Sequence, residues 1–346
     1  MLRIIDRIIK FPLLKNDRKP IIPLSKEQEQ AIQEFLNKVE RGEYKLVDYP
    51  CICGNSEDIL IAEKDRYGIP LNIYLCKNCG TIRSGKVLDR ESLIKFYSDD
   101  YSKIYVSTSP DVRFKSQFIR GKDFVRLCKD CGILDKIENV FEIGCGAGGI
   151  LAAFKEIGLK VSGCDLDREH LEYGISRGLN LLYGDYRKVL HSLGSKQDCI
   201  ILSHVLEHFL DPINELEEIA KKIKVNGYIL IQVPSLYSHQ FNPILTFQNA
   251  HTIQFFDPEF LSFTLENLGF RVVCLELTPQ LTIIGQKRIR KNKHISFNKN
   301  KEEIMKIQYR LKRAYISTVP VQVYTKLQKY PTLRKILSKV FHKIKN

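Results

Sequence analysis

A chain of 346 residues with 54 lysines and arginines against 40 acids, net +14, and 44% hydrophobic residues is long enough for two domains and has ample apolar content for a core. No apolar run approaches the roughly 18 residues of a membrane span, and the first residues alternate charged and apolar groups where a secretory signal would need an apolar stretch. The expectation is a cytoplasmic protein whose ten cysteines serve as metal ligands or buried thiols rather than disulfides.

In chain order, residues 1–45 read as an N-terminal helical segment in which Leu2, Ile4, Ile5, Ile8 and Ile9 interleave with Arg3, Arg7 and Lys10. Cys51-Ile52-Cys53-Gly54 and Cys76-Lys77-Asn78-Cys79-Gly80 follow, with 22 residues between the pairs. Thiolate pairs on tight glycine turns suit a tetrahedral four-cysteine zinc site, so residues 46–85 are expected to form a zinc-binding module with Cys51, Cys53, Cys76 and Cys79 as ligands. The second pair has the usual knuckle spacing; the first is one residue short of it. Residues 86–135 read as connecting helices, including Leu88–Tyr101 with its Phe96, Tyr97 and Tyr101. Cys128-x-x-Cys131 lies in a helix-like stretch and is read as a pair of unbridged thiols.

The run Val140-Phe141-Glu142-Ile143-Gly144-Cys145-Gly146-Ala147-Gly148-Gly149-Ile150-Leu151 carries the most information. A β-prone segment ends in an acid, passes a glycine-dense turn and enters a helix-like pattern. Such a turn lets backbone N–H groups approach a nucleotide-like ligand. Gly144, Gly146 and Gly149 also satisfy the dinucleotide fingerprint, with Asp165 and Asp167 about twenty residues on. Glu142 speaks against a diphosphate, which a neighbouring carboxylate repels, and in favour of a cofactor bearing sulfonium and ammonium groups.

Further along, Lys160–Cys164 reads as a strand ending at Asp165, with Asp167 as a fallback ligand or the N-cap of a helix from Arg168. Leu181–Tyr183 reads as another strand, with a turn at Gly184-Asp185. Cys199–Leu202 is a buried strand that delivers His204, Glu207 and His208 to the sheet edge where open α/β sheets bind ligands. Histidines four apart could ligate a metal, but no third histidine is nearby and a packing or capping role is preferred. Ile213–Lys224 has helical spacing and Gly227–Pro234 reads as a strand. Asp257-Pro258 starts a helix that runs through Leu261–Leu268, and Arg271–Leu277 and Leu281–Lys287 pair as strands about Pro279-Gln280.

These residues together resemble the class I S-adenosylmethionine-dependent methyltransferases, whose first motif is an acid, one residue, then three alternate glycines: Glu142, Gly144, Gly146 and Gly148. The resemblance spans about 150 residues, here 136–288. It implies a doubly wound, mostly parallel seven-stranded α/β sheet, Rossmann-like, closed by an antiparallel edge strand, an ending that oxidoreductases lack as a rule. It further implies that Glu142, Gly144, Cys145, Gly146, Gly148 and His204 surround the cofactor, with Asp165 on the ribose and Asp185 on the adenine amine. The cysteine module and the helix after it are similar to the N-terminal segment of deoxysugar C-methyltransferases and of enzymes from surface-polysaccharide clusters. Phe247–Phe256 aligns with a stretch of the former that carries Tyr and Glu ahead of a His; here Gln248 and Ala250 replace them and His251 alone is kept. His251, with His208 behind it, is the candidate general base, and O-methylation of a sugar or other small hydroxylated metabolite stays open beside C-methylation.

Residues 289–346 read as a basic helical extension. From Gln286 onward 18 lysines and arginines face two acids, and in Thr332–Ile344 the residues Leu333, Ile336, Leu337, Val340, Phe341 and Ile344 follow helical spacing. An anionic membrane surface, on the inner face of the membrane and with a lipid-linked glycan as acceptor, is one partner for such helices; packing on the protein itself is the simpler reading. Nucleic acid is the weaker alternative, because the tail has no recognised nucleic-acid motif.

Overall fold

The computed structural model describes residues 12–55, 57–105, 109–238, 242, 246, 253–289, 297, 299–311 and 313–314. The N-terminal stripe over 2–9, the candidate base His251 and the helical pattern Thr332–Ile344 lie outside the described residues.

The first helix, α1 (Lys26–Glu40), starts at a capping box in which Ser25 and Gln28 satisfy each other's backbone N–H. Five short strands follow: β1 (Leu46–Asp48), β2 (Asp58–Lys64), β3 (Pro70–Cys76), β4 (Ile82–Ser84) and β5 (Lys86–Leu88). Then come α2 (Arg90–Asp99), α3 (Tyr101–Tyr105) and the 21-residue α4 (Pro110–Asp130). From there strand and helix alternate: β6 (Asn139–Ile143), α5 (Gly149–Glu156), β7 (Lys160–Asp165), α6 (Arg168–Ser176), β8 (Asn180–Tyr183), α7 (Tyr186–Ser192), β9 (Gln197–Ser203), α8 (Pro212–Lys221) and β10 (Ile223–Val233). The chain continues through β11 (Gln254–Phe255), α9 (Pro258–Asn267), β12 (Phe270–Glu276) and β13 (Leu281–Lys287), and a further helix covers 301–311.

The main sheet has the order β12-β13-β10-β9-β6-β7-β8, with β6 to β10 parallel. It is the expected mostly parallel α/β sheet, with one correction. The antiparallel strand is β13, and it lies inside the sheet, between β10 and β12, rather than at the edge. The physical reason is burial: Leu281, Thr282, Ile283 and Ile284 are all covered, whereas β12 carries exposed Arg271 and Glu276 and tolerates the rim.

Alternation along the central strands feeds two cores, one on each face. Phe141, Ile200, Leu202, Ile229 and Ile231 point toward α8 and α9, which contribute Leu216, Ile219, Leu261 and Leu265. Val140, Cys199, Ile201, Tyr228 and Leu230 point toward α4 and α5, which contribute Phe124, Leu127, Leu151 and Phe154. Helices α4 and α5 come so close that a Cβ on Gly149 would sit 2.2 Å from the carbonyl oxygen of Phe114.

A second sheet, β11-β4-β3-β2, holds the cysteine module, and it is not confined to 46–85. Gln254 and Phe255 pair antiparallel with Arg83 and Ile82. Ile304, Ile307 and Leu311 of the helix over 301–311 are buried against Leu14, Ile61, Ile73 and Leu75, so this part of the basic extension packs on the protein. Among the described residues no helix is long and apolar enough to cross a membrane.

Candidate functional site

The parallel strands end on one side of the sheet, and there the chain leaves a cavity of about 490 Å³. One wall is the glycine turn between β6 and α5. Gly144, Gly146 and Gly148 adopt φ of 69°, 52° and 77°, a region that side chains with a Cβ enter at a cost. Gly144 has a second reason to lack a side chain: its Cβ would lie 2.5 Å from Val205 Cγ2.

Asp165, the last residue of β7, staples this turn. Its Oδ2 accepts the Gly146 N–H at 2.6 Å and its Oδ1 accepts the Asp167 N–H at 2.8 Å, while its carboxylate lines the cavity. Burial raises the Asp165 carboxyl above its ordinary value, and the two N–H donors pull it back. Asp167 also lines the cavity and caps α6, accepting from the His170 N–H at 3.1 Å. Asp185, on the same wall, caps α7 through the Arg187 N–H at 2.8 Å and faces Arg90 at 3.6 Å.

The opposite wall comes from the end of β9 and the helices before the sheet. His204 has φ of 57°, an uncommon conformation for a non-glycine residue, held by its N–H to the Gln232 carbonyl at 2.8 Å. Glu207 is buried behind it, with Oε1 3.3 Å from His204 Nδ1 and 3.9 Å from His208 Nε2. Burial pushes the Glu207 carboxyl up, but the facing His208 and His204 outweigh this and hold it below its ordinary range. His204 and His208 line the cavity beside Tyr97, whose ring sits edge-on to His208 at 6.4 Å, and beside Tyr101.

Of the expected cofactor residues, Gly144, Gly146, Asp165, Asp185 and His204 line this cavity; Glu142, Cys145 and Gly148 sit behind the wall. Glu142 is fully buried, and among the described residues neither carboxylate oxygen has a hydrogen-bond partner. Burial pushes its carboxyl well above the ordinary range, against the pull of Arg120 and Arg113.

Two residues escaped the sequence reading. Gln117 is buried in α4 and clamps the turn from behind, its Nε2 donating to the Cys145 carbonyl at 3.0 Å and its Oε1 accepting the Gly149 N–H at 3.3 Å. Arg113, also on α4, lines the cavity. Arg90 and Arg187 of the same lining face Asp185 and Glu215, whereas Arg113 has no ion-pair partner among the described residues.

The four cysteines of the second sheet converge as well. The Sγ atoms of Cys51, Cys53, Cys76 and Cys79 all lie within 4.8 Å of one another, with close pairs at 3.5 and 3.6 Å. A tetrahedral zinc with Zn–S bonds near 2.3 Å needs sulfurs roughly 3.8 Å apart, so the donor set fits that ion. The separations are far too long for disulfides, and all ten cysteines are free. Asn78 N–H points to Cys76 Sγ at 3.3 Å, and Gly54 and Gly80 close the two turns with φ of 79° and 76°. Cys128 and Cys131 remain unbridged thiols at the end of α4.

Residues 116–275 match a family described as "Methyltransferase domain". A ubiquinone biosynthesis O-methyltransferase of Vibrio cholerae is 26% identical over 98 residues, covering 27% of this chain and 40% of that protein. The enzyme of the same name from Serratia proteamaculans is 28% identical over 104 residues, 28% of this chain and 42% of its own length. The chain thus spans less than half the length of the curated relatives it matches. Among solved structures, an O-methyltransferase family protein from Burkholderia thailandensis superposes with a TM-score of 0.43 at 16% identity, covering 58% of this chain and 64% of its own. The plantazolicin methyltransferase BpumL in complex with S-adenosylhomocysteine superposes with a TM-score of 0.45 at 15% identity, over 57% of this chain and 94% of that one. Residues 116–275 thus match a methyltransferase domain, and the glycine turn lies within that stretch.

Proposed function

We propose that this protein transfers the methyl group of S-adenosylmethionine to a hydroxyl of a small acceptor, a sugar or similar metabolite of glycan assembly. The observation that carries the reading is Asp165, a cavity-facing carboxylate fixed on the glycine turn by two N–H bonds. Each of its oxygens keeps a lone pair for the ribose hydroxyls, and an anion there disfavours a diphosphate. Asp185 then meets the adenine amine, and buried Glu142 supplies negative potential behind the turn for the ammonium group. Arg113 is the counter-ion for the donor's carboxylate.

S-adenosylmethionine supplies a methyl group on cationic sulfur, a leaving group that needs no acid. The chain's own part is to align the acceptor oxygen in line with that methyl, exclude water and take the hydroxyl proton. His208 lines the wall opposite the turn, beside Tyr97 and Glu207, and in this reading receives it; His251, the leading candidate from sequence, lies outside the described residues. The O-methyltransferase names of the relatives support oxygen as the accepting atom. Methyl-labelled S-adenosylmethionine offered with nucleotide-linked sugars, and separately with transfer RNA, tests the acceptor class. Label in the sugars upholds the reading, and label in RNA alone overturns it. His208→Ala should lower turnover by roughly 10²–10⁴ without weakening cofactor binding.

The cysteine cluster is proposed to hold one zinc ion through Cys51, Cys53, Cys76 and Cys79. Four thiolates leave no open position, so the ion's role is structural. Elemental analysis should give one zinc per chain, and metal retained after all four are replaced would contradict the assignment.

A further inference from the structure

Two independent routes connect the second cysteine turn to the wall that carries Glu207 and His208. Residues 76–80 run directly into β4, the Cys76 N–H bonding to the Thr81 carbonyl at 3.0 Å. Strand β4 pairs with β11, and the Ser84 N–H adds a bond to the Ile253 carbonyl at 2.9 Å. Ile253 in turn donates its N–H to the Glu207 carbonyl at 2.9 Å, and the buried Gln254 donates its Nε2 to the Phe209 carbonyl at 3.2 Å. Two residues thus separate a cysteine ligand from β4, and two backbone bonds link β4 to the main chain of Glu207, whose carboxylate the histidines share.

The second route passes on the other side. Asn78 accepts the Lys299 N–H at 2.7 Å and donates its own Nδ2 to the Phe297 carbonyl at 3.3 Å. The Lys299 ammonium is buried, reaching Asp257 at 3.1 Å and also Glu259. Asp257 is the N-cap of α9, accepting from the Glu259 and Phe260 N–H groups, and Phe297 packs on Phe260 at 5.3 Å beside the cysteines. Residues 253–257 are therefore held at both ends by the cysteine turn. Among the described residues the glycine turn has no such tie: Asp165, Gln117 and the β7 backbone hold it.

We propose that the four-cysteine site positions the acceptor wall, so that its metal governs the geometry of Glu207 and His208 and leaves cofactor binding independent. This rests on the zinc assignment above. A metal that orders the turn at 76–80 fixes β4, and β4 is the template on which 253–255 adds as a strand. Without the ion, four thiols relax, β4 loses its anchored start, and the amide bonds at Ile253 and Ser84 open more often.

Hydrogen exchange of the full-length protein before and after chelation, followed by zinc re-addition, tests this. Amides at 82–84 and 253–256 should exchange about tenfold faster or more in the stripped protein and recover with zinc, while 142–150 stays unchanged. The Kd for S-adenosylhomocysteine should move by less than about twofold. Asn78→Ala, which keeps all four thiols, should speed exchange at 257–260 with the metal still bound. Protein purified without any metal overturns the zinc assignment and this coupling with it. Metal demonstrably removed with 253–256 unchanged, or with 142–150 opening equally, overturns the coupling alone.

Discussion

Asp165→Ala should uncouple donor binding from folding. In the unliganded protein the carboxylate holds two N–H groups, from Gly146 at 2.6 Å and Asp167 at 2.8 Å. Hydrogen bonds to a charged acceptor contribute about 1.5–3 kcal/mol each, but both donors border an open cavity and water can replace part of that. The expected loss of stability is therefore roughly 2 kcal/mol. Binding loses more, because the ribose forfeits its charged acceptor and the turn that frames it loosens. A loss of about 3 kcal/mol corresponds to a roughly 100-fold weaker Kd for S-adenosylhomocysteine. Asp165→Asn should fall between, since an amide oxygen still serves one N–H while its NH₂ faces the other donor. Calorimetric titration reads the affinity, and melting without ligand reads the stability. A folded Asp165→Ala protein that binds within about twofold of the wild type refutes the role given to this residue.

Glu142→Gln should stabilise the unliganded fold and weaken donor binding at once. Because burial raises the folded carboxyl above its unfolded value, its contribution is fully present below about pH 4.5 and is lost as pH rises through the raised value, so the gain in Tm should be seen near pH 8 and vanish in acid. Arg113→Ala should weaken S-adenosylhomocysteine about tenfold yet leave 5′-methylthioadenosine, which lacks the carboxylate, unaffected. The basic tail should carry the protein to anionic liposomes at low salt, and a chain truncated after Ala314, which keeps the buried helix over 301–311, should stay behind; equal recovery of both in the supernatant contradicts this.

What the sequence made legible was local. A glycine run after an acid-ended strand, apolar strands of the right length, Asp257-Pro258 opening a helix and two cysteine pairs all announce themselves within a dozen residues. What stayed hidden was tertiary. Gln117 is a lone polar residue in a helix, and only the fold aims it at the Cys145 carbonyl and the Gly149 N–H. Among the described residues Arg113, unlike Arg90 and Arg187, makes no ion pair, which no spacing reveals. Glu142 sits in the motif as expected, but a strand's alternation turns it behind the turn rather than into the cavity. The misplaced edge strand had a readable signal: Leu281-Thr282-Ile283-Ile284 is apolar without alternation, as a strand flanked on both sides requires, whereas Arg271 and Glu276 mark a rim. Strand β11 is two residues long and gave none.

The central claim is that the glycine turn and Asp165 hold S-adenosylmethionine and no dinucleotide. Thermal melting with S-adenosylhomocysteine and, separately, with NAD tests it most directly. At about 100 times its Kd the bound product should add roughly 2.7 kcal/mol, a rise in Tm of roughly 5 °C or more, and NAD should add nothing. A rise with NAD and none with S-adenosylhomocysteine would contradict the account.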